Sequence, residues 1–349
     1  MLRRTIGMIP HAAIAVKNSI YGNTKAPKPV YMQIEPTNYC NEKCIYCQRQ
    51  GALTDINNKT LGLAEFKKII DNLPSVKEIM LSGFGEPLLN NELCEMIKYA
   101  KSKGIRVQTT TNMILIDYQK AKDILASGLD ELFVSIDSPC PEIYHKLRGV
   151  PIEPALAGLK NLTAARKDLG VFNKKPKVFI NAIFTNTTKD TENIKKLIDL
   201  AKENHIILRL KSLHVWGKNP ADLSTSSGPA IKEIKKYAKL QGVNIKINLK
   251  KRYSTLYCYR IWFGGFINSK GELFACCDNV KEPCFGNILQ NDFEAIWNGK
   301  EFRDFRKKLY ERDLSAFTPY VRTNCTNCNL QFNDKLYPLS KVLNFWRHN

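Results

Sequence analysis

Three cysteines within eight residues constrain this chain more than any other feature. Cys40, Cys44 and Cys47 are spaced CxxxCxxC on a polar loop that directly follows a short strand-like run at 31–35. Three thiolates on one tight loop can hold three corners of a cubane iron–sulfur cluster, and a fourth iron without a protein ligand is then open to a small molecule. The sequence therefore predicts an iron–sulfur site with one open coordination position.

Two simpler interpretations of these cysteines are weaker. A zinc site would lack one ligand, because the nearest histidines in sequence, His11 and His145, are at no zinc-finger spacing. Ordinary buried thiols rarely cluster three in eight on a polar loop. The iron–sulfur interpretation is therefore favoured.

The loop resembles that of the radical S-adenosylmethionine (SAM) enzymes, both in its cysteine spacing and in its setting. Residues 33–38, QIEPTN, precede the loop, and the aromatic Tyr46 precedes its last cysteine. The resemblance implies that Cys40, Cys44 and Cys47 bind a 4Fe-4S cluster whose open iron chelates SAM. It also implies reductive cleavage of SAM to a 5'-deoxyadenosyl radical, which abstracts a hydrogen atom from an unactivated C–H bond. A reductant such as flavodoxin or ferredoxin would supply the electron.

Length and composition indicate a two-domain protein of the reducing cytoplasm. The chain has 349 residues, 44% of them hydrophobic, which suffices for a sizeable core and about two domains. Its eleven cysteines are odd in number and mostly grouped as in metal sites, so they do not predict a disulfide framework. No apolar run is long enough to span a bilayer. We expect a cytoplasmic protein, with peripheral membrane contact as an alternative.

Helical and strand-like runs alternate from residue 31 to residue 211. Six strand-like runs are separated by helical runs of about ten residues, a pattern typical of parallel βα units that close partly into a barrel. We therefore expect an α/β fold: a partial (β/α)6 barrel of the radical SAM type, followed by a small α+β iron–sulfur domain. The expected divisions are an N-terminal amphipathic or packing segment (1–30), the barrel (31–216), a linker and basic bridging segment (217–250), the iron–sulfur domain (251–335) and a C-terminal tail (336–349).

The glycine-rich turn after the second strand resembles the SAM-binding glycine–glycine–glutamate element of the family. Gly83, Gly85 and Glu86 keep their places, whereas Phe84 stands where the commonest form has glycine. The resemblance implies that backbone carbonyls of this turn and the Glu86 carboxylate receive the SAM ammonium group, because glycine allows close approach of the backbone. An ordinary glycine turn is the alternative.

Polar residues at the ends of later strands are further candidates for SAM contacts. By resemblance, Ser135 and Asp137 lie near the SAM ribose, with Asn112 a weaker candidate and Tyr46 a contact from the cysteine loop. Each could instead be a strand-end turn former. Residues 144–149 resemble a YxxxRG element, which implies that Arg148 pairs with the SAM carboxylate; a surface arginine at a helix end is the alternative.

A second set of cysteines resembles the SPASM/Twitch domain, which binds auxiliary iron–sulfur clusters. Cys258, Cys276, Cys325 and Cys328 are the expected ligands of one auxiliary 4Fe-4S cluster, and Cys277 could replace Cys276. A structural zinc on the same four residues is the alternative. Four cysteine ligands leave no open iron, so the cluster would relay electrons. We expect the other cysteines, Cys94, Cys140 and Cys284, to be packing residues.

The single auxiliary cluster makes the arrangement similar to the aminocyclitol dehydrogenases of the butirosin pathway. The resemblance implies that the substrate radical is oxidised through the auxiliary cluster, and no residue is assigned as the general base. A net charge of +20, with nine basic residues and one acid between 228 and 260, favours an anionic partner: an anionic substrate such as a phosphorylated metabolite, a nucleic acid or an acidic membrane surface. A solvated lysine-rich surface is the alternative. We expect an anionic small-molecule or lipid-linked substrate. Alternatives are radical chemistry on a membrane lipid and peptide maturation; a nucleic acid partner is not expected.

Overall fold

The computed structural model describes most of both expected domains. The described residues are 14–15, 17–18, 21–50, 58–172, 174–212, 231–248, 258, 260–280, 283–311, 313–319, 321 and 325. The expected ligand Cys328, the tail at 336–349 and most of the expected linker at 217–230 lie outside these residues.

The structure is built on one sheet of nine strands in the described part of the chain. Its order is β7-β6-β5-β4-β3-β2-β1-β8-β9, and every neighbouring pair is parallel except β8 and β9. The strands are β1 (Tyr31–Ile34), β2 (Glu78–Leu81), β3 (Arg106–Thr111), β4 (Glu131–Ser135), β5 (Lys177–Phe184), β6 (Ile207–Ser212), β7 (Ile245–Asn248), β8 (Gly264–Ile267) and β9 (Leu273–Phe274).

Helices connect the parallel strands from β1 to β7, as the alternation of the sequence predicts, and two further helices follow β9. They are α1 (Leu63–Asp71), α2 (Leu93–Ser102), α3 (Tyr118–Ala126), α4 (Pro141–Arg148), α5 (Glu153–Asp168), α6 (Thr191–Glu203), α7 (Ile231–Leu240), α8 (Phe293–Trp297) and α9 (Lys300–Glu311). Helix α6 illustrates why they form: Asp190 caps its first turn by accepting from the Asn193 N–H, and Ile194, Leu197 and Ile198 recur on its buried face. The α/β fold is confirmed.

The sheet is wider than the six predicted strands. Strand β7 pairs in parallel register with β6, and β8 pairs with β1 on the other side of the sheet. Residues 231–248 of the expected bridging segment therefore form helix α7 and strand β7, and the strand extends the sheet. The sequence shows the strand but not its partner, because pairing between β6 and β7 depends on contacts distant in sequence.

The two faces of the sheet differ in chemistry because side chains alternate along each strand. Leu208 and Leu210 of β6 pack with the helices in the main core, as does Ile180 of β5. Phe133, Phe179 and the cations of β6 lie on the opposite side, which we call the inner face. Both charged residues of β6, Arg209 and Lys211, are on that face.

The C-terminal domain packs on the segment just before β1. Trp262 and Trp297 donate from their indole N–H groups to the carbonyls of Asn23 (2.7 Å) and Pro27 (2.8 Å). Arg306, which is fully buried, donates to the carbonyls of Ile261 and Trp297. The tryptophan bonds join the domain to the segment before β1, and these two Arg306 bonds hold the domain together internally; both sets give buried polar groups a partner.

Candidate active site

The cysteine loop follows β1 and lies against the end of helix α4. The N–H groups of Lys43 and Ile45 donate to the carbonyls of Arg148 (3.1 Å) and Leu147 (3.0 Å). Gly149 ends the helix at φ 72°, and a side chain there would meet the backbone of Lys43. The glycine of the YxxxRG element is therefore needed so that the helix end can approach the loop.

Five side chains hold this loop in place, and we call them the clamp: Glu42, Tyr46, Asp137, Tyr144 and Arg148. Arg148 donates to Asp137 Oδ2 (2.8 Å) and Glu42 Oε2 (3.1 Å). Tyr46 donates to Asp137 Oδ2 (2.7 Å), and Tyr144 donates to Glu42 Oε1 (2.9 Å). The Ile183 N–H also donates to Asp137. The clamp thus joins the cysteine loop to helix α4 and to the ends of β4 and β5.

The clamp gives Asp137 and Arg148 partners within the protein. Asp137 is completely buried and Arg148 is 6% exposed. Their expected contacts with the SAM ribose and carboxylate stay predictions, while the contacts present in the structure are with each other and with the loop. Sequence reasoning missed Glu42, which lies within the cysteine motif and links both Tyr144 and Arg148 to it.

The glycine-rich turn packs against the segment before Cys40. A Cβ on Gly85 would lie 2.2 Å from the Thr37 carbonyl oxygen, and one on Gly83 would lie 2.3 Å from Glu35 Oε1. The structure therefore requires both glycines for close packing. Their expected contacts with SAM stay predictions. The N–H of Phe84, between the two glycines, donates to Glu35 Oε1 (2.8 Å).

Glu86 and Asn112 connect the turn, the end of β3 and the cysteine loop. Glu86 accepts from the N–H groups of Leu88 (3.1 Å) and Asn112 (2.8 Å), and burial raises the pKa of its carboxyl to about 7. The Asn112 amide donates to Asn41 Oδ1 (2.7 Å). Ser135 lies beside Thr110, with 3.3 Å between their hydroxyl oxygens. The structure thus brings Glu86 and Asn112 together at the loop; their expected SAM contacts stay predictions.

The three thiols of the loop suit an iron cluster. Burial raises the pKa of all three, that of Cys40 to about 11. Without iron they are therefore protonated thiols, not thiolates, at neutral pH. Iron binding replaces those protons. The Arg148 guanidinium lies 3.9 Å from Cys44 Sγ and favours the thiolate. The donor set therefore fits a cluster with three cysteine ligands.

The auxiliary cysteines also come together. The charges of Cys258 and Cys325 both act on Cys276, while Cys277 donates to its neighbour Asp278. Burial raises the pKa of Cys325 to about 12, and the Asn279 amide donates to its sulfur. Among the residues that the structure describes, no three His, Cys, Asp or Glu side chains could hold a single metal ion.

The remaining cysteines differ in their surroundings. Cys94 packs against the main core as expected, and Cys140 is partly buried. Cys284 is exposed, so the packing prediction is wrong for this residue. Its sulfur lies 3.7 Å from the Gly286 carbonyl oxygen, and backbone contact of this kind cannot be inferred from composition.

The two cluster loops touch each other. Gln48, next to Cys47, donates to the carbonyl of Asp278, next to Cys277, at 3.4 Å. Glu35 Oε2 accepts from the N–H (3.2 Å) and hydroxyl (3.1 Å) of Ser269, on the turn between β8 and β9. Sequence reasoning missed these contacts because their partners are more than 200 residues apart.

A parallel sheet with a three-cysteine loop after its first strand, beside a second cysteine set, defines an iron–sulfur enzyme that uses SAM. The family model of the radical SAM superfamily matches residues 34–198, and that of the SPASM iron–sulfur cluster-binding domain matches residues 258–329. The chain belongs to the radical SAM superfamily and carries a SPASM domain. The expected cofactors, namely a SAM-binding 4Fe-4S cluster, an auxiliary cluster and SAM, are thereby confirmed.

Several proteins resemble this chain over most of its length. An AdoMet-dependent heme synthase of Methanosarcina barkeri is 27% identical, over 87% of this chain and 92% of that protein. A tungsten-containing aldehyde ferredoxin oxidoreductase cofactor-modifying protein of Pyrococcus furiosus is 24% identical, over 86% and 87%. Streptococcus suis SuiB, solved with its precursor peptide SuiA, aligns with a TM-score of 0.63 at 18% identity, over 88% and 71%.

No described helix has both the length and the apolar character needed to cross a membrane.

Proposed function

We propose that this chain catalyses a SAM-dependent radical oxidation of a polar or phosphorylated small molecule, as a dehydrogenase does. When bound, the two clusters supply the electron that converts SAM into methionine and a 5'-deoxyadenosyl radical, and accept the electron that leaves the substrate radical. The hydrogen atom goes from the substrate carbon to the 5'-deoxyadenosyl radical, which becomes 5'-deoxyadenosine. Loss of a proton to a base completes a two-electron oxidation of the substrate.

The contact between the cluster loops carries this proposal. Gln48 and Asp278, each next to a cysteine of its loop, are joined by a hydrogen bond, and β1 pairs with β8 of the auxiliary domain. An electron that leaves the substrate then needs no diffusing carrier to reach the auxiliary site. Such proximity is of use to an oxidation and is not required for SAM cleavage alone.

The names of two relatives support a small molecule as substrate. One relative is named for heme synthesis and the other for modification of a cofactor, and the alignments cover 92% and 87% of those proteins. Heme and cofactors are small compared with a peptide or a lipid bilayer, so these names favour the metabolite over the alternatives.

The test is anaerobic and uses two pools from the source cells. Reconstituted protein receives SAM, dithionite and either the aqueous metabolite pool or the lipid extract, and 5'-deoxyadenosine is counted. We expect the aqueous pool to stimulate its formation and to yield a product two hydrogens lighter than its precursor. In Cys258→Ser we expect SAM cleavage to continue and the lighter product to disappear. Stimulation by the lipid extract or by a peptide fraction alone would contradict the proposal.

A further inference from the structure

Three cations lie side by side on the inner face of the sheet, where no step described so far uses them. They are Arg209 and Lys211 of β6 and Lys246 of β7. Arg209 is in register with Lys246 on one side and with Asn181 of β5 on the other, and Asn181 is in register with Ser135. Residues in register on neighbouring strands share a face. This row therefore runs from the expected SAM ribose contact to the cations.

The row has little negative charge to balance it. Glu131 is the acid whose charge acts on Arg209, and it already pairs with Arg106 at 2.6 Å. Between residues 206 and 260 the sequence holds two acids, Asp222 and Glu233, against twelve lysines and arginines. Glu233 pairs with Lys195 on helix α6 at 3.2 Å. Burial, together with Arg209, lowers the pKa of Lys211 to about 7, as expected for a cation without a counter-ion.

Two aromatic rings, those of Phe133 and Phe179, lie close to the three cations. The Arg209 guanidinium lies 4.8 Å from the centre of the Phe133 ring and 5.4 Å from that of Phe179. Lys211 and Lys246 lie 5.7 Å and 5.2 Å from the same two rings. Rings on one side fix the cations without neutralising them, so their N–H groups are left for a ligand on the other side.

Two polar atoms in this row are buried without a hydrogen-bond partner among the described residues. They are Nε of Arg209 and Oδ1 of Asn181. Buried polar groups are normally paired, and an orphaned group at a functional site often awaits a ligand. A donor and an acceptor on neighbouring strands, in register with each other, are therefore open to the same molecule.

We propose that Arg209, Lys211 and Lys246 bind an anionic group, a carboxylate or a phosphate, while Asn181 Oδ1 accepts a hydrogen bond from a hydroxyl or amine elsewhere on the same molecule. This inference rests on the proposed function and gives the substrate an acidic group. Guanidinium and ammonium groups held in a partly buried site bind such anions through charge-assisted hydrogen bonds. The same chemistry would suit the carboxylate of SAM, and the experiment separates the two sources.

The probe is inorganic phosphate, titrated calorimetrically into the reconstituted protein under anaerobic conditions at constant ionic strength. The variants are Arg209→Met, Lys211→Met and the charge-preserving Lys211→Arg. The matched control is Lys235→Met, which removes a lysine from the exposed face of helix α7. We expect wild type, Lys235→Met and Lys211→Arg to bind phosphate alike and the other two to bind at least tenfold more weakly.

Folding is checked by thermal unfolding of the same preparations. The methionine variants should be at least as stable as wild type without phosphate, because they remove a buried cation that has no counter-ion. A variant that unfolds is replaced in the comparison by Lys246→Met. Equal phosphate affinity in wild type and in all the methionine variants, or no phosphate binding by wild type, would overturn the inference.

Added SAM identifies the source of the anion. If SAM leaves phosphate binding intact, the site belongs to the substrate. If SAM abolishes phosphate binding, and SAM itself binds more weakly to Arg209→Met than to wild type, the anion is the SAM carboxylate. The three cations then form an anion site, but the assignment of that site to the substrate is refuted. SAM cleavage without substrate is measured on the same preparations. If the protein binds phosphate but does not cleave SAM, the proposed function is rejected and the anion site is not.

Discussion

Arg148 carries the positive charge between two buried carboxylates, Asp137 and Glu42. Its Nη2 lies 2.7 Å from Asp137 Oδ2 and its Nη1 lies 3.1 Å from Glu42 Oε2. The Tyr46 and Tyr144 rings lie at 5.6 Å and 6.0 Å from the guanidinium. Removing this one residue would leave two buried carboxylates, at 0% and 6% exposure, without the positive charge that faces them.

We therefore expect Arg148→Met to lower the free energy of unfolding by about 3–5 kcal/mol, the usual cost of breaking a buried ion pair. Urea unfolding of the metal-free protein measures it. The control is Lys98→Met, whose exposed pair with Glu95 should contribute less than about 1 kcal/mol. Similar small losses in both variants would mean that the clamp does not stabilise the loop.

Lys211 makes a second prediction at this scale, on pH. Its pKa is lowered to about 7 in the folded protein by burial and by Arg209, whereas the unfolded chain binds the proton up to about pH 10.4. Between these values the unfolded state holds more protons, so stability rises with pH. The pKa of Lys246 is lowered too, by burial and by Arg209, and this adds to the effect.

Lys211→Met should flatten this rise. From pH 7 to pH 9, we expect the free energy of unfolding of wild type to rise by about 1–2 kcal/mol more than that of the variant, as measured by urea unfolding at each pH. Lys235→Met should follow wild type throughout. Parallel pH curves for wild type and Lys211→Met would contradict the placement of Lys211 beside Arg209 without a counter-ion.

At the scale of the elements, the glycine-rich turn and the cysteine loop form one packed unit. The Glu86 N–H donates to the Tyr39 carbonyl at 2.8 Å, and Gly85 lies against the backbone of Thr37 and Tyr39. Backbone atoms cannot move aside as the end of a side chain can. A methyl group at Gly85 would therefore displace the segment that leads to Cys40.

We expect Gly85→Ala to destabilise the protein by about 1–3 kcal/mol, a usual cost of overpacking, and to lower its iron content after reconstitution. Gly62→Ala is the control, because the nearest atom to its added Cβ is at 3.6 Å and a lost N-cap preference costs about 1 kcal/mol or less. Full iron content in Gly85→Ala would show that the turn does not position the loop.

The elements were easier to predict than the contacts between them. The alternation of strands and helices follows from periodicity within each segment, and the run at 76–81 predicted a strand where β2 (Glu78–Leu81) lies. The contact of Tyr46 with Asp137 joins residues 91 positions apart, and no local pattern encodes it. Arg209 and Lys211 alternate with apolar residues on β6, which is a signal of a polar inner face that the sequence did offer.

At the scale of the whole molecule, the auxiliary domain continues the sheet of the barrel. Strand β8 pairs with β1 from Tyr31↔Gly264 to Ile34↔Ile267. The first cysteine loop follows β1, whereas the region of Cys276 follows β9, which is antiparallel to β8. This arrangement explains how one fold can hold two clusters whose loops share a hydrogen bond.

Iron analysis tests whether both sets of cysteines are loaded. We expect about eight irons per chain in the reconstituted wild type and about four in Cys258→Ser, because each cubane holds four. Sulfide should follow the iron in both proteins. Zinc together with about four irons in wild type would mean that the second set binds zinc instead of a cluster.

The most direct test of the account is 5'-deoxyadenosine formation from SAM and dithionite in three fully reconstituted proteins. The division of roles predicts that wild type and Cys258→Ser cleave SAM at rates within about threefold of each other, because the auxiliary ligands do not touch the loop's cluster, while Cys44→Ala, which lacks one of the three thiolates, cleaves none. Cleavage by Cys44→Ala with undiminished rate, or no cleavage by iron-loaded wild type, would contradict it.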